Sequence, residues 1–180
     1  FDIARRKAEH WAWQPVRRDV QPPAVEPVGG VAWANTAIDR FILARLQAAG
    51  LSPTASATRR TLVRRLHFDL IGLPPTPEEV EAFVADASPN ACENLVERLL
   101  TSPHFGERWG QHWLDLVRFA ETRGHESDFP IPEAYRYRNY VVRAYNADVP
   151  YDDFVVEHIA GDLVENPRID PATRWNESAQ

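Results

Sequence analysis

Between Gln111 and Asp128 the chain gathers the groups best suited to chemistry: His112, Asp115, Arg118, Glu121, His125, Glu126 and Asp128. If this segment is helical, Asp115 and Arg118 lie three residues apart, as do Arg118 and Glu121. That spacing suits a ladder of ion pairs along one face. His112 stands on the same polar side as Asp115, and a carboxylate beside an imidazole can orient it for general-base work. Pairs of this kind also read as a plain solvated surface, each contributing only about 0.2–0.5 kcal/mol. Further on, Glu121, Glu126 and Asp128 fall within eight residues. Clustered carboxylates hold hard cations such as Ca²⁺, although the spacing is not that of an EF-hand loop. The same acids would make an acid–base pair if burial separated their pKa values. Three readings therefore stand: a solvated polar face; a metal site on Glu121, Glu126 and Asp128; and a catalytic group of His112, Asp115, Arg118 and Glu121.

A helix from about His104 to Thr122 has to carry the first of these residues. At 100° per residue, Phe105, Trp109, Trp113, Leu116, Val117 and Ala120 share an arc of about 120° and form the expected core face. The polar groups lie opposite, and the loop Arg123–Pro130 brings Glu126 and Asp128 to the helix end. Other helices are marked by their punctuation. Asn35 is placed to cap a helix with the stripe Ile38, Phe41, Ile42 and Leu46, ended by Gly50. Thr58 or Ser56 opens the next, with Leu62, Leu66 and Leu70 inward and Gly72 as the stop. Thr76-Pro77-Glu78-Glu79 combines a Thr cap, a first-turn Pro and a Glu three residues on, which closes a capping box. Ser88-Pro89 and Ser102-Pro103 open two more helices. The last two run from about Glu133 to Ala147 and from Tyr151 to Ala160. Nothing alternates with period two for long enough to make a sheet. The fold class is all-α: one compact, bundle-like domain of about seven helices. It is preceded by an extended Trp/Pro-rich arm, whose Trp11, Trp13 and Trp33 are expected to pack along it.

Composition sets the limits. The chain has 180 residues, 44% apolar and 26% charged, as in ordinary globular domains. No run reaches the roughly 18 apolar residues of a membrane span, and no basic-then-apolar leader opens the chain. Methionine is absent, so the sequence reads as a piece of a longer protein. The single cysteine, Cys92, has no metal-ligand spacing around it and reads as a small core hydrophobe. Charge is uneven: residues 1–67 carry 11 basic and 5 acidic side chains, and residues 68–180 carry 9 and 21. Nucleic acid is a poor partner for the acidic part. Arg59, Arg60, Arg64 and Arg65 lie opposite the Leu62–Leu66–Leu70 stripe and read as a solvated face pairing with acids. His10, His67, His104 and His158 are scattered and read as surface or helix-end residues.

Several longer runs are distinctive. They are Phe68-Asp69-Leu70-Ile71-Gly72-Leu73-Pro74-Pro75-Thr76-Pro77-Glu78-Glu79-Val80, Ser102-Pro103-His104-Phe105-Gly106-Glu107-Arg108-Trp109-Gly110-Gln111-His112-Trp113, Tyr137-Arg138-Asn139-Tyr140-Val141 and Pro150-Tyr151-Asp152-Asp153-Phe154-Val155. Together with His10-Trp11-Ala12-Trp13-Gln14-Pro15-Val16, they resemble the planctomycete cytochrome-c-associated (PSCyt-type) domain of unknown function. The resemblance covers nearly the whole chain. It implies a lead-in arm at 1–35, a helical domain at 36–165 and an extension at 166–180 of a larger extracytoplasmic protein. Haem c would belong to a separate upstream domain, and this segment would hold no cofactor of its own unless Ca²⁺ binds the acidic loop. The implied partners are that cytochrome c domain and a downstream companion domain, with polysaccharide as a further candidate and no membrane insertion. The expected role is an interaction or scaffold module with an acidic docking surface. The alternative is part of an enzyme acting on a saccharide or other polar substrate through the carboxylate and arginine cluster.

Overall fold

The computed structural model describes residues 2–29, 33–124, 126, 128–169, 174 and 176. Among them are eight α-helices, and β-pairing is limited to isolated bridges such as Thr122 with Pro130 and Ile169 with Asn176. The chain is all-α, as its punctuation indicates. A short α1 (Ile3–Glu9) is followed by seven helices: α2 (Ala37–Ala48), α3 (Arg59–Ile71), α4 (Pro77–Ala85), α5 (Ala91–Leu100), α6 (Pro103–Leu116), α7 (Ala134–Asn146) and α8 (Tyr151–Ala160). They fall into two compact units, residues 1–56 and 57–180.

In the first unit, α1 is capped by Asp2, whose Oδ1 accepts the Arg5 N–H, and Lys7 lies over the Trp13 ring. Helix α2 begins at Thr36 rather than Asn35. The Thr36 hydroxyl and the Asp39 carboxylate, three residues apart, satisfy each other's backbone N–H in a capping box. The buried residue of α2 is Leu43, whereas Ile38, Phe41 and Ile42 of the expected stripe are exposed. The reason is local. Pro23, Val25, Pro27 and Trp33 line a cavity of about 300 Å³ together with Leu43, and the Gln47 amide donates to the Glu26 carbonyl at 2.8 Å. The proline-rich segment therefore covers the Leu43 side.

The second unit has two apolar clusters. Val63 of α3, Phe83 of α4, and Ala91, Leu95 and Leu99 of α5 form the first, with Leu62, Leu66 and Leu70 packed against it. Thr58 caps α3, and α4 carries the full capping box expected from Thr76 and Glu79. Arg59 belongs to the packing rather than to a solvated face. Its guanidinium lies 4.3 Å from the Phe83 ring centroid and donates to the carbonyls of Phe83 and Asp86, satisfying the carboxyl end of α4. Arg60 pairs with Glu81 at 2.7 Å, as the charge pattern suggested. The second cluster joins Leu114 of α6, Tyr140, Val141 and Ala144 of α7, and Phe154 of α8.

Candidate functional site

Helices α6 and α7 meet through backbone. Gly106 and Gly110 are buried on the face of α6 that touches α7. A Cβ at Gly106 would run into the Val142 carbonyl and come within 2.7 Å of the Asn146 side chain; one at Gly110 would sit 3.3 Å from Val141. Asn146 seals the junction. Its Oδ1 accepts the Gly106 N–H at 2.7 Å and its Nδ2 donates to the Pro103 carbonyl at 2.9 Å, so α7 supplies a cap for α6.

This close approach brings Trp113 against Phe154 and His158 of α8, with ring centroids 4.8 and 5.0 Å apart. A polar chain runs through the aromatic layer. The Trp113 indole N–H donates to the Tyr137 hydroxyl at 2.8 Å, and that hydroxyl lies 2.9 Å from Nε2 of His158. Nδ1 of His158 faces the Phe154 carbonyl at 2.6 Å. A carbonyl only accepts and an indole N–H only donates. The consistent arrangement therefore has the proton on Nδ1, with Nε2 taking the Tyr137 O–H. Beside it, the Tyr140 hydroxyl donates to Glu157 at 2.8 Å, and Glu157 holds Arg168 through two bonds of 2.8 and 2.7 Å. The Glu157 side chain is only 7% exposed, so this pair is largely withdrawn from water. Burial, reinforced by Glu157, pushes the Tyr140 phenol well above the ordinary tyrosine range. The layer can fix rings and tautomers across three helices; its polar groups are engaged with one another.

Sequence reasoning placed His158 and His67 at surfaces or helix ends; His158 does stand in the last turn of α8, half-buried in the aromatic layer, while His67 is corrected. His158 follows Phe154 by one helical turn, which was the available signal. His67 is 1% exposed, with Nδ1 on the Val63 carbonyl and Nε2 3.6 Å from Glu79.

The expected chemical residues lie along a chain path that differs from a continuous helix. Helix α6 stops at Leu116, and Arg118 turns the chain at φ 56°. His112 is exposed and lies edge-on to Trp109, while Asp115 accepts the Gln111 amide at 2.6 Å. Glu121 lies beyond the helix and pairs with Arg138 of α7. The loop is closed by backbone bonds from Ile131 to Glu121 and from Arg123 to Phe129. Within it, Asp128 accepts the Gly124 N–H at 2.9 Å, and Glu126 is exposed. His125 lies outside the described residues. Among the described residues no group of three or more His, Cys, Asp or Glu side chains is placed to hold a metal ion. No helix among them is long and apolar enough to cross a membrane.

Comparison with known proteins agrees with the family likeness of the sequence. No curated protein and no solved structure matches the chain. Residues 37–180, which include every helix from α2 to α8 and the whole aromatic layer, match the pattern of one family. The chain belongs to that family, PSCyt2, described as proteins of unknown function (DUF1549).

Proposed function

We propose that the chain is a helical interaction module of a longer extracytoplasmic protein, docking a Lys/Arg-rich partner surface through the outer face of α8. The partner is the cytochrome c domain of the same protein. The observation that carries this reading is the character of that face. Val156 and Ile159, three residues apart on α8, are 50% and 80% exposed, and Leu163, in the short 3-10 turn that follows the helix, is 76% exposed. Asp152 and Asp153 in the first turn of α8, and Asp162 and Glu165 beyond its end, are exposed as well. Between Arg143 and Arg168 there are six acids and no Lys or Arg. An apolar centre with a charged rim is the anatomy of a protein interface, and a rim of one sign selects and steers a partner of the other. The acids of the 115–128 segment support the same conclusion, since Asp115, Glu121 and Asp128 each have a separate partner.

Titration calorimetry of the separately produced haem domain into the 180-residue chain tests it. Micromolar association that weakens several-fold between low and physiological salt is expected, because exposed charges are screened. No association at low salt overturns it. A second reading rests on the Glu121–Arg138 pair, which sets a carboxylate against a guanidinium beside the loop: an enzyme surface for a polysaccharide or other polar substrate. Turnover of such a substrate by the purified chain, lost in a Glu121→Gln variant, would favour it.

A further inference from the structure

The structure holds a second feature that the docking face does not use. At the junction of α6, α7 and α8 lies a cavity of about 240 Å³, lined by Phe105, Ala144, Tyr145, Asp148, Val149, Tyr151 and Phe154. That is roughly eight times the share of one water in the liquid, enough for a compact organic group of several heavy atoms. Four of its lining side chains are aromatic, and no Lys or Arg lines it. Tyr145 and Phe154 meet edge to face at 6.0 Å. Burial holds the Tyr145 phenol above its ordinary pKa, so that ring presents a neutral hydroxyl.

Asp148 gives the site its sign. Its carboxylate is exposed at the rim of the cavity and takes part in no hydrogen bond or ion pair among the described residues, so it is free to meet an incoming cation. It also occupies a left-handed turn, at φ 49°, where Gly or Asn would sit with less strain. Through their own N–H groups, Asp148 and Val149 close the last turn of α7 on the carbonyls of Tyr145 and Ala144. The negative end of α7 therefore abuts the cavity. The positive end of α8 lies nearby, but its first turn carries Asp152 and Asp153.

From this combination we infer a binding site for an alkylammonium group, held over aromatic faces with the Asp148 carboxylate as counter-charge. Aromatic rings attract cations through their negative faces, and a carboxylate at the rim adds charge without filling the apolar volume. A neutral sugar would also stack on such rings. It would draw nothing from the Asp148 carboxylate, whereas a cation would gain a counter-charge there. The group can come from a free quaternary amine or from a lysine side chain of another protein, and the two sources share one chemistry. The site does not depend on docking at α8.

Nuclear magnetic resonance titration of the 180-residue chain, read at the tyrosine and phenylalanine ring protons, tests the assignment. The probes are choline, its uncharged isostere 3,3-dimethylbutan-1-ol, Nα-acetyl-lysine amide and glucose. Choline should shift the ring signals with an affinity roughly five- to tenfold above the uncharged isostere, the range expected of a cation–π contribution. Asp148→Asn preserves side-chain shape, and Asn is at ease in the left-handed turn. It should weaken choline several-fold while leaving the unfolding temperature unchanged or raised. Tyr151→Ala, at a position 73% exposed, should weaken it without unfolding the chain. Preference for the lysine derivative over choline would identify a protein partner as the source, and the reverse a free amine. Equal binding of the uncharged isostere, stronger binding of glucose, indifference to Asp148→Asn or no shift with any cation would each overturn the proposal. Failure here leaves the calorimetric test of α8 docking untouched, and the converse is equally true.

Discussion

Arg118 ends α6 in a conformation that L-residues resist. With φ at 56°, its N–H reaches the Asp115 carbonyl and the Phe119 N–H reaches Leu114 at 2.9 Å. This is the left-handed helix termination in which glycine is the favoured residue. Replacing Arg118 by Gly should therefore raise stability by about 0.5–1 kcal/mol, after allowing for the extra freedom glycine gives the unfolded chain. Denaturant unfolding measures this, and a loss would mean that the arginine side chain holds the turn. The same residue explains a misreading. The stops at Gly50 and Gly72 were legible because glycine advertises a left-handed turn. Arg118 makes the same turn with a residue that advertises nothing. The sequence thus suggested a helix through Thr122, and its polar ladder included Arg118 and Glu121, which lie past the true end. Acid sensitivity also belongs at this scale. The Glu79 carboxyl is held below the ordinary range mainly by the Thr76 N–H, with His67 and Arg98 adding to it. A depressed carboxyl contributes stability that is complete above its unfolded pKa and is lost as pH falls through its folded one. Unfolding followed below the ordinary 4.5 of glutamate should show a shallower pH slope in Glu79→Gln than in the parent chain, and identical slopes would contradict the account.

At the scale of elements, the crossing of α6 and α7 decides what the second unit can be. Apolar size pointed to Phe105, Trp109, Trp113, Leu116, Val117 and Ala120 as the inner face of one long helix, and of these Trp113 does pack against the second cluster. Leu116 is instead 76% exposed and Trp109 38%, while Gly106, Gly110 and Leu114 are buried. The period was legible but the phase was not, because a face made by backbone approach carries no large side chain to reveal it. Gly106→Ala should destabilise the chain by about 3 kcal/mol, since the methyl would meet backbone that cannot swing away. Gly110→Ala, whose methyl would sit 3.3 Å from a Val141 methyl and farther from backbone, needs a shift of only a few tenths of an ångström and should lose about 1 kcal/mol. Equal effects in thermal unfolding would deny the close approach. The aromatic layer escaped the sequence reading for a related reason. Trp113, Tyr137, Tyr140, Glu157 and His158 come from three helices, and no local spacing announces their meeting. Arg168→Ala should cost about 2 kcal/mol or more, because it strips the counter-ion from a nearly buried Glu157. Near-parental stability in denaturant would show that water replaces the guanidinium without loss.

For the whole molecule, punctuation disclosed the class of fold, because helix caps are written locally, and the longer runs such as Phe68–Val80 disclosed the family through their resemblance to it. They did not disclose where a partner would bind. The acids that cluster in sequence between Asp115 and Asp128 engage separate groups, whereas those around α8 surround an exposed apolar stripe. The claim that this face docks a basic protein surface is tested most directly by hydrogen–deuterium exchange of the chain, alone and mixed with the haem domain proposed as its partner. The account predicts slowed exchange concentrated in residues 151–165. Slowed exchange confined to residues 112–128, with α8 unchanged, would contradict it.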